Sequence, residues 1–251
     1  MTIIIPVGYQ FADRLNNLDK SWLLNKGCVL WFRGKTTTDF PILPSGVTAT
    51  PSGTWTNDLT LNNRRIVKTF NGSDTGITYS TNSAWQLNGD FTISFWIKII
   101  TAPDSAWPSI WFGPIQNTTR YACINYETRS SQGSKRGIYL YAVDNSNSVL
   151  IGTLDDANYI TNWVGSFHNV TFTRSGTTIY LYKNATLVTT TNSSIIISGT
   201  TQSQSLGFLW DGGNAWHINA NIKDFLIFKG CALSQPEITY LYNTTKKYLV
   251  K

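Results

Sequence analysis

Few side chains in this sequence are equipped for acid–base, nucleophilic or metal chemistry, and their spacing decides which reactions are open. The glutamates are Glu127 and Glu237, and the histidines are His168 and His217. Hydrolysis of a glycosidic bond needs two carboxyl groups flanking it, one to donate a proton and one to act as base or nucleophile. Glu127 has no acidic residue two positions to either side, where Asn125 and Arg129 stand, and Glu237 opens a C-terminal helical pattern. The histidines sit in separate segments, without Gly-x-Ser-x-Gly or His-x-x-x-His spacing. Cys28, Cys123 and Cys231 are odd in number and far apart, which excludes a cysteine-based zinc motif and favours buried free thiols. Cys28 and Cys231 become neighbours if the first and last strands pair. Asp74, Asp155-Asp156 and Asp211 are oxygen-rich candidates for calcium, but such a site needs roughly six to eight converging oxygens, and turns explain these residues as well. The expectation is a non-enzymatic protein with no catalytic residue, no metal and no cofactor.

One segment does combine complementary chemistries. Trp210, Asp211, Asn214, Trp216 and His217 bring two indoles, a carboxylate, an amide and an imidazole into eight residues. An aromatic face stacks on the C–H face of a sugar while polar groups bind its hydroxyls, so these five are the candidate ligand-binding residues. Trp107 and Trp111 bracket a second such loop. Against an open platform, Trp216, Ile218 and Ala220 alternate with His217, Asn219 and Asn221. That puts Trp216 on the face of Ile218, a side that packs.

The elements that must position these residues are strands. Phe91, Ile93, Phe95, Ile97 and Ile99 alternate with Thr92, Ser94, Trp96 and Lys98, the period of a strand with one apolar face. Ile138, Leu140 and Ala142 alternate likewise with Tyr139, Tyr141 and Val143. Further strands are predicted around Val29–Phe32, Ile66–Phe70, Ile77–Tyr79, Ser109–Phe112, Tyr121–Glu127, Val149–Leu154, His168–Thr173, Thr178–Tyr182, Thr186–Thr190, Ser205–Trp210 and Asn221–Phe228, with residues 34–63 read as loop-rich. Lys183-Asn-Ala185 reads as a tight hairpin. Many short strands without long helices between them predict two packed antiparallel sheets, an all-β jelly-roll sandwich. The core is expected to hold Leu30, Phe32, Phe70, Phe91, Ile93, Phe95, Ile97, Val170, Phe172, Ile179, Leu181, Ile222, Phe225 and Ile227. Outside the sandwich (28–243) lie two flanking pieces. Residues 1–27 form an arm in which Phe11, Leu15, Leu18 and Trp22 share one face of a short helix over about 12–25, suited to packing on its own sandwich or on a neighbour. Residues 244–251 form a basic tail. Before it, Ser234-Gln-Pro-Glu237 carries the residues of a helix N-cap, with Ser as cap and Glu at the capping-box position.

These blocks resemble a family. Phe70-Asn-Gly-Ser-Asp74, Ile77-Thr-Tyr79 and Gly89-Asp-Phe-Thr-Ile-Ser-Phe-Trp-Ile-Lys98 are similar to the F-D-G-S-D turn and G-D-F-T-I-S-x-W-V-K strand of the laminin-G-like, concanavalin A-like lectin/glucanase superfamily. Ser166–Arg174 with Ile179–Asn184 resembles its W-H-H-V hairpin, and Asn221–Ser234 with Glu237-Ile238 its closing strand and helix. Phe167 stands where the family has Trp, Ala185 where it has Gly, and Asn71 where it has Asp. The resemblance implies the sandwich fold and leaves function open among lectins, enzymes, adhesion modules and virion proteins. Its glucanases carry their acids as E-x-D-x-E on one strand, a pattern absent around Glu127.

Composition narrows the partners. Charged residues make up 14% and the net charge is +6, without the basic stripe interleaved with aromatics that nucleic-acid binding needs. The N-terminus has no signal-peptide pattern and no apolar run has transmembrane length, so neither nucleic acid nor membrane insertion is expected. A Thr/Asn/Ser/Gly-rich sandwich without a signal peptide, with an arm and a basic tail, fits a phage virion structural or assembly protein. It would decorate a capsid or sit on a tail or fibre, and would be made in the host cytoplasm. The expected partners are other virion proteins, including the major capsid protein, and a second copy of the chain. The alternative is a carbohydrate-binding lectin module, with a glycan as partner.

Overall fold

The computed structural model describes residues 19–60, 65–101, 108–113, 121–127, 137–144, 147–152, 163–194, 197, 203–211, 214–246 and 249. Phe11, Leu15 and Leu18 of the expected arm lie outside these residues. The described elements are, in chain order, α1 (Lys20–Asn25), β1 (Cys28–Phe32), β2 (Ala49–Ser52), β3 (Thr56–Thr60), β4 (Arg65–Asn71), β5 (Gly76–Tyr79), β6 (Phe91–Ile99), β7 (Ser109–Phe112), β8 (Tyr121–Glu127), β9 (Gly137–Asp144), β10 (Asn147–Gly152), β11 (His168–Ser175), β12 (Thr178–Lys183), β13 (Thr186–Asn192), β14 (Gln204–Leu206), β15 (Phe208–Asp211), β16 (Asn214–His217), β17 (Asn219–Lys229) and α2 (Gln235–Lys246). They form an eight-stranded sheet ordered β13-β12-β11-β6-β17-β4-β3, with β1 also on β17. A seven-stranded sheet is ordered β10-β9-β8-β7-β14-β5-β2, and β15-β16 stand apart as a small hairpin. Among the described residues all pairs between these strands are antiparallel.

The two large sheets bury their apolar faces against each other. From β6 the odd-numbered residues Phe91 to Ile99 enter the common core, and from β9 Ile138, Leu140 and Ala142 do so. All fourteen residues expected in the core lie there. Phe95 stacks on Phe225 of the neighbouring strand at 5.6 Å between ring centroids. Fully burying a side chain of this size stabilises the fold by about 1.5–3 kcal/mol.

The outer face of the eight-stranded sheet is covered by the two helices. Leu23 of α1 is fully buried with Trp31, Leu226, Phe228, Ile238 and Leu241, so the described part of the arm packs on its own sandwich. Trp22 is only half-buried, its ring 5.1 Å from Tyr240. The α2 N-terminus follows the expected capping box: the Glu237 carboxylate accepts from the Ser234 N–H at 2.8 Å and from its hydroxyl at 2.7 Å, and pairs with Lys26. The helix runs on to Lys246, into the segment read as a basic tail. Trp96 donates its indole N–H to the Thr245 hydroxyl at 2.7 Å, and Leu249 is buried against Val67, Trp96 and Phe167. Among its described residues, the segment read as a basic tail is thus anchored by Leu249.

Three further differences have physical causes. Residues 34–63, read as loop-rich with no strand assigned, contain β2 and β3. β2 includes Pro51, which an edge strand tolerates because the missing N–H is not needed in the ladder. In the middle of β17, Asp224 adopts φ +46° where the pairing register with β6 slips, and its buried carboxylate accepts from the Trp31 indole at 3.0 Å with Lys223 at 3.8 Å. The span expected as one strand over 205–210 is broken at Gly207 (φ +87°). A Cβ there would collide with the Phe70 ring, so glycine lets the chain pass over that ring and leave the sheet.

Candidate functional site

The hairpin that follows Gly207 holds all five candidate ligand residues. Trp210 lies opposite Ala215 and Asp211 opposite Asn214 at its tip, while Leu209 opposes Trp216 and Phe208 opposes His217 nearer the base. The segment read as a turn region is therefore a paired ribbon. It lies over the outer face of the seven-stranded sheet. Trp111 and Ile124 face the core, and their neighbours Phe112 and Cys123 face out, where Leu209 packs on them. The Phe208 ring rests on Gly76 of β5, where any Cβ would displace it.

Trp216 is half-buried and packs, with the half-buried Tyr141, against Phe112, Cys123 and Leu209. Ile218, expected on the same side, belongs to the main core. Both side chains turn to apolar surroundings, but to separate clusters, because the chain changes from the hairpin to β17 between them. His217 stacks on Phe208 at 5.2 Å and 19°, and its Nδ1 lies 2.9 Å from the Thr75 carbonyl. A carbonyl only accepts, so Nδ1 carries the proton there, the tautomer in which Nε2 is an acceptor.

Beside this cluster, on the same outer face, Asn125 donates to the Tyr139 hydroxyl and to the Cys123 sulfur, each at 3.3 Å. At the base of the hairpin the Asn71–Thr75 turn is knotted by the Asn71 side-chain oxygen. It accepts from the backbone N–H groups of Ser73, Asp74 and Thr75 and from the hydroxyls of Ser73 and Thr75. An amide oxygen does here what the carboxylate of the resembling F-D-G-S-D turn would do. Asp74 is held by the Asn71 amide at 2.5 Å and the Thr54 N–H at 3.2 Å.

The remaining reactive groups are placed for structure. Glu237 caps α2 outside the eight-stranded sheet, whereas Glu127 ends β8 in the other sheet. His168 lies edge-on to Trp163 at 4.9 Å. Trp111 is fully buried and donates to Gln204 at 2.8 Å, so it is no ligand platform; Trp107 lies outside the described residues. β1 and β17 do pair, yet Cys28 and Cys231 are free thiols, as is Cys123. Burial pushes the Cys28 thiol up to about 12 and raises that of Cys231, which makes both poor nucleophiles at neutral pH. Among the described residues no three His, Cys, Asp or Glu side chains converge as metal ligands; Asp155 and Asp156 lie outside them.

Sequence reading found Trp216 and His217 but missed Tyr141, Phe112 and Cys123. The alternation of Ile138, Leu140 and Ala142 with Tyr139 and Tyr141 had placed the two tyrosines together on one face; nothing local said that a hairpin from residues 208–217 would fold onto it.

This arrangement is a jelly-roll sandwich with an aromatic cluster on one outer face. The family model of the concanavalin A-like lectin/glucanases superfamily (Laminin_G_3) matches residues 71–239, and the chain belongs to that superfamily. No curated protein matches the chain. Among solved structures, it is similar to the binding domain of Paraclostridial Mosquitocidal Protein 1 (TM-score 0.66, 15% identity, covering 88% of this chain and 53% of that one). It is also similar to domain 4 of AbnA, a GH43 extracellular arabinanase from Geobacillus stearothermophilus, in complex with arabinotriose (0.62, 15%, 86% and 98%). A third is a structure of botulinum neurotoxin type C, whose cell entry depends on interaction with two ganglioside molecules (0.63, 16%, 90% and 53%). The chain spans about half the length of the mosquitocidal and neurotoxin chains and nearly all of the arabinanase domain. At these identities the likeness is one of fold.

Proposed function

We propose that this protein is a non-catalytic, carbohydrate-binding module of the lectin kind. The observation that carries the reading is the pair of half-buried rings, Trp216 and Tyr141, held against one apolar cluster on the outer face of the seven-stranded sheet. A ring packed on one side and open on the other gives a rigid surface for the C–H face of a sugar. The His217 Nε2 acceptor lies in the strand of Trp216. The fold match to a domain solved with arabinotriose supports the same reading, as does the separation of Glu237, on α2, from Glu127, on β8 of the seven-stranded sheet. The sequence alone ranked a virion structural role first and a lectin second; the comparisons favour the second. A virion remains a proposed setting for such a module, tested by mass spectrometry of purified particles.

The functional test is binding of arabino-oligosaccharides and a broader glycan panel to the full chain and to Trp216→Ala. The expected result is glycan binding that weakens at least about tenfold, or roughly 1.4 kcal/mol, in the variant. Failure of every glycan to bind, or equal binding by the variant, would overturn the proposal.

A further inference from the structure

Among the described residues the outer edge of β13 has no ladder partner. β13 closes one side of the eight-stranded sheet: its inner edge pairs with β12, and among the described residues no strand hydrogen-bonds to the other edge, although β10 of the second sheet approaches β13. Such an edge presents a row of unpaired N–H and C=O groups, and folded proteins guard these rows with proline, charge or short length. The edge strand β2 carries Pro51, and the edge strand β3 carries Asp58, paired to Lys98. β13 has neither device. Its sequence, TLVTTTN, holds no charge and no proline, and no charged residue occurs from 184 to 210 in a chain of net charge +6. Leu187 and Val188 on this strand are 47% and 43% exposed.

We propose that β13 pairs antiparallel with β13 of a second copy of this chain, joining two eight-stranded sheets across a two-fold axis. The bonding surface is backbone, so the occupant must be an extended strand. A two-fold axis sets a strand against itself, so the strand must be its own complement. β13 meets that requirement. Beyond the bulge at Val188, Thr189, Thr190 and Thr191 are all β-branched, and self-pairing sets threonine against threonine with no like charges opposed. The bulge confines the pairing to the half of the strand that ends at Asn192. The outer face of the seven-stranded sheet, which carries Trp216, takes no part, so this inference stands apart from the glycan reading.

The test is sedimentation velocity on the full chain from low to high micromolar concentration, beside Thr190→Lys and a remote control, Asn88→Lys; both positions are exposed. The expected result is a dimer that dissociates on dilution. Thr190→Lys should weaken it at least about tenfold while the melting temperature holds, and Asn88→Lys should behave as the parent. If Thr190→Lys itself lowers the melting temperature, Val188→Lys at the exposed bulge replaces it. A parent that stays monomeric throughout, or a dimer indifferent to the lysines, overturns the proposal.

Discussion

The turn between β12 and β13 offers a prediction in which the sequence departs from its family and the structure gives the penalty. Asn184 and Ala185 both have positive φ, +53° and +61°, the pair of left-handed residues that a two-residue type I′ hairpin demands. Asparagine tolerates this conformation because its side chain bonds locally, and Asn184 does so, accepting from the Asn169 N–H at 2.9 Å. Alanine has no such compensation, and the left-handed conformation costs an L-residue roughly 1–2 kcal/mol. Ala185→Gly removes that strain. Against it stands the greater freedom of glycine in the unfolded chain, roughly 0.4–1 kcal/mol, and the loss of one half-buried methyl. The balance is a stabilisation of about 0.5–1 kcal/mol, which for a chain of this size raises Tm by roughly 1–4 °C. Differential scanning calorimetry of parent and variant measures it. Asn184→Gly is the comparison: it gives up the bond to Asn169 and should lower Tm. A lower Tm for Ala185→Gly, or the same gain at both positions, would refute the reasoning.

Two other predictions rest on single contacts. Gly207→Ala forces a methyl against the Phe70 ring at φ +87°, which together should destabilise by about 2–4 kcal/mol, measured by urea denaturation; a change within error would mean that the chain crosses Phe70 differently. Lys26 and the Ser234 donors hold the Glu237 carboxyl down at about 2, below its ordinary 4.5, against an opposing desolvation. A depressed carboxyl stabilises above its unfolded pKa, so this contribution, up to about 1 kcal/mol after solvent screening, is complete above pH 4.5 and is lost as pH falls towards 2. Glu237→Gln should flatten that part of the acid profile, and an unchanged profile would count against the pairing.

How much was legible in the sequence depended on the range of the signal. β6 and β9 could be read because alternation is local: each residue's face follows from its neighbour's. The capping box at Ser234 and Glu237 is likewise contained within one helical turn. β2 was hidden by Pro51, which local rules assign to loops and only an edge position excuses. Gly207 read as an ordinary strand glycine, because its reason, the ring of Phe70, lies far away in sequence. The candidate site failed to appear for the same cause. Trp216 carries a visible pattern, but Tyr141, Phe112 and Cys123 join it only through the folding of a hairpin across β7, β8 and β9. Asp224 gives no sequence sign at all that it would take a left-handed conformation inside a central strand.

The pairing of β1 with β17 has a consequence for how this module can be displayed. The described chain enters through α1 and leaves past α2 at Leu249, and both helices lie on the outer face of the eight-stranded sheet. The hairpin with Trp216 lies on the opposite side of the sandwich. A surface coupled through either end of the described chain therefore holds the protein by its back and turns the aromatic face outward. A sensor or affinity matrix built that way leaves Trp216 open to solution, whereas random coupling through lysines does not control which face looks out.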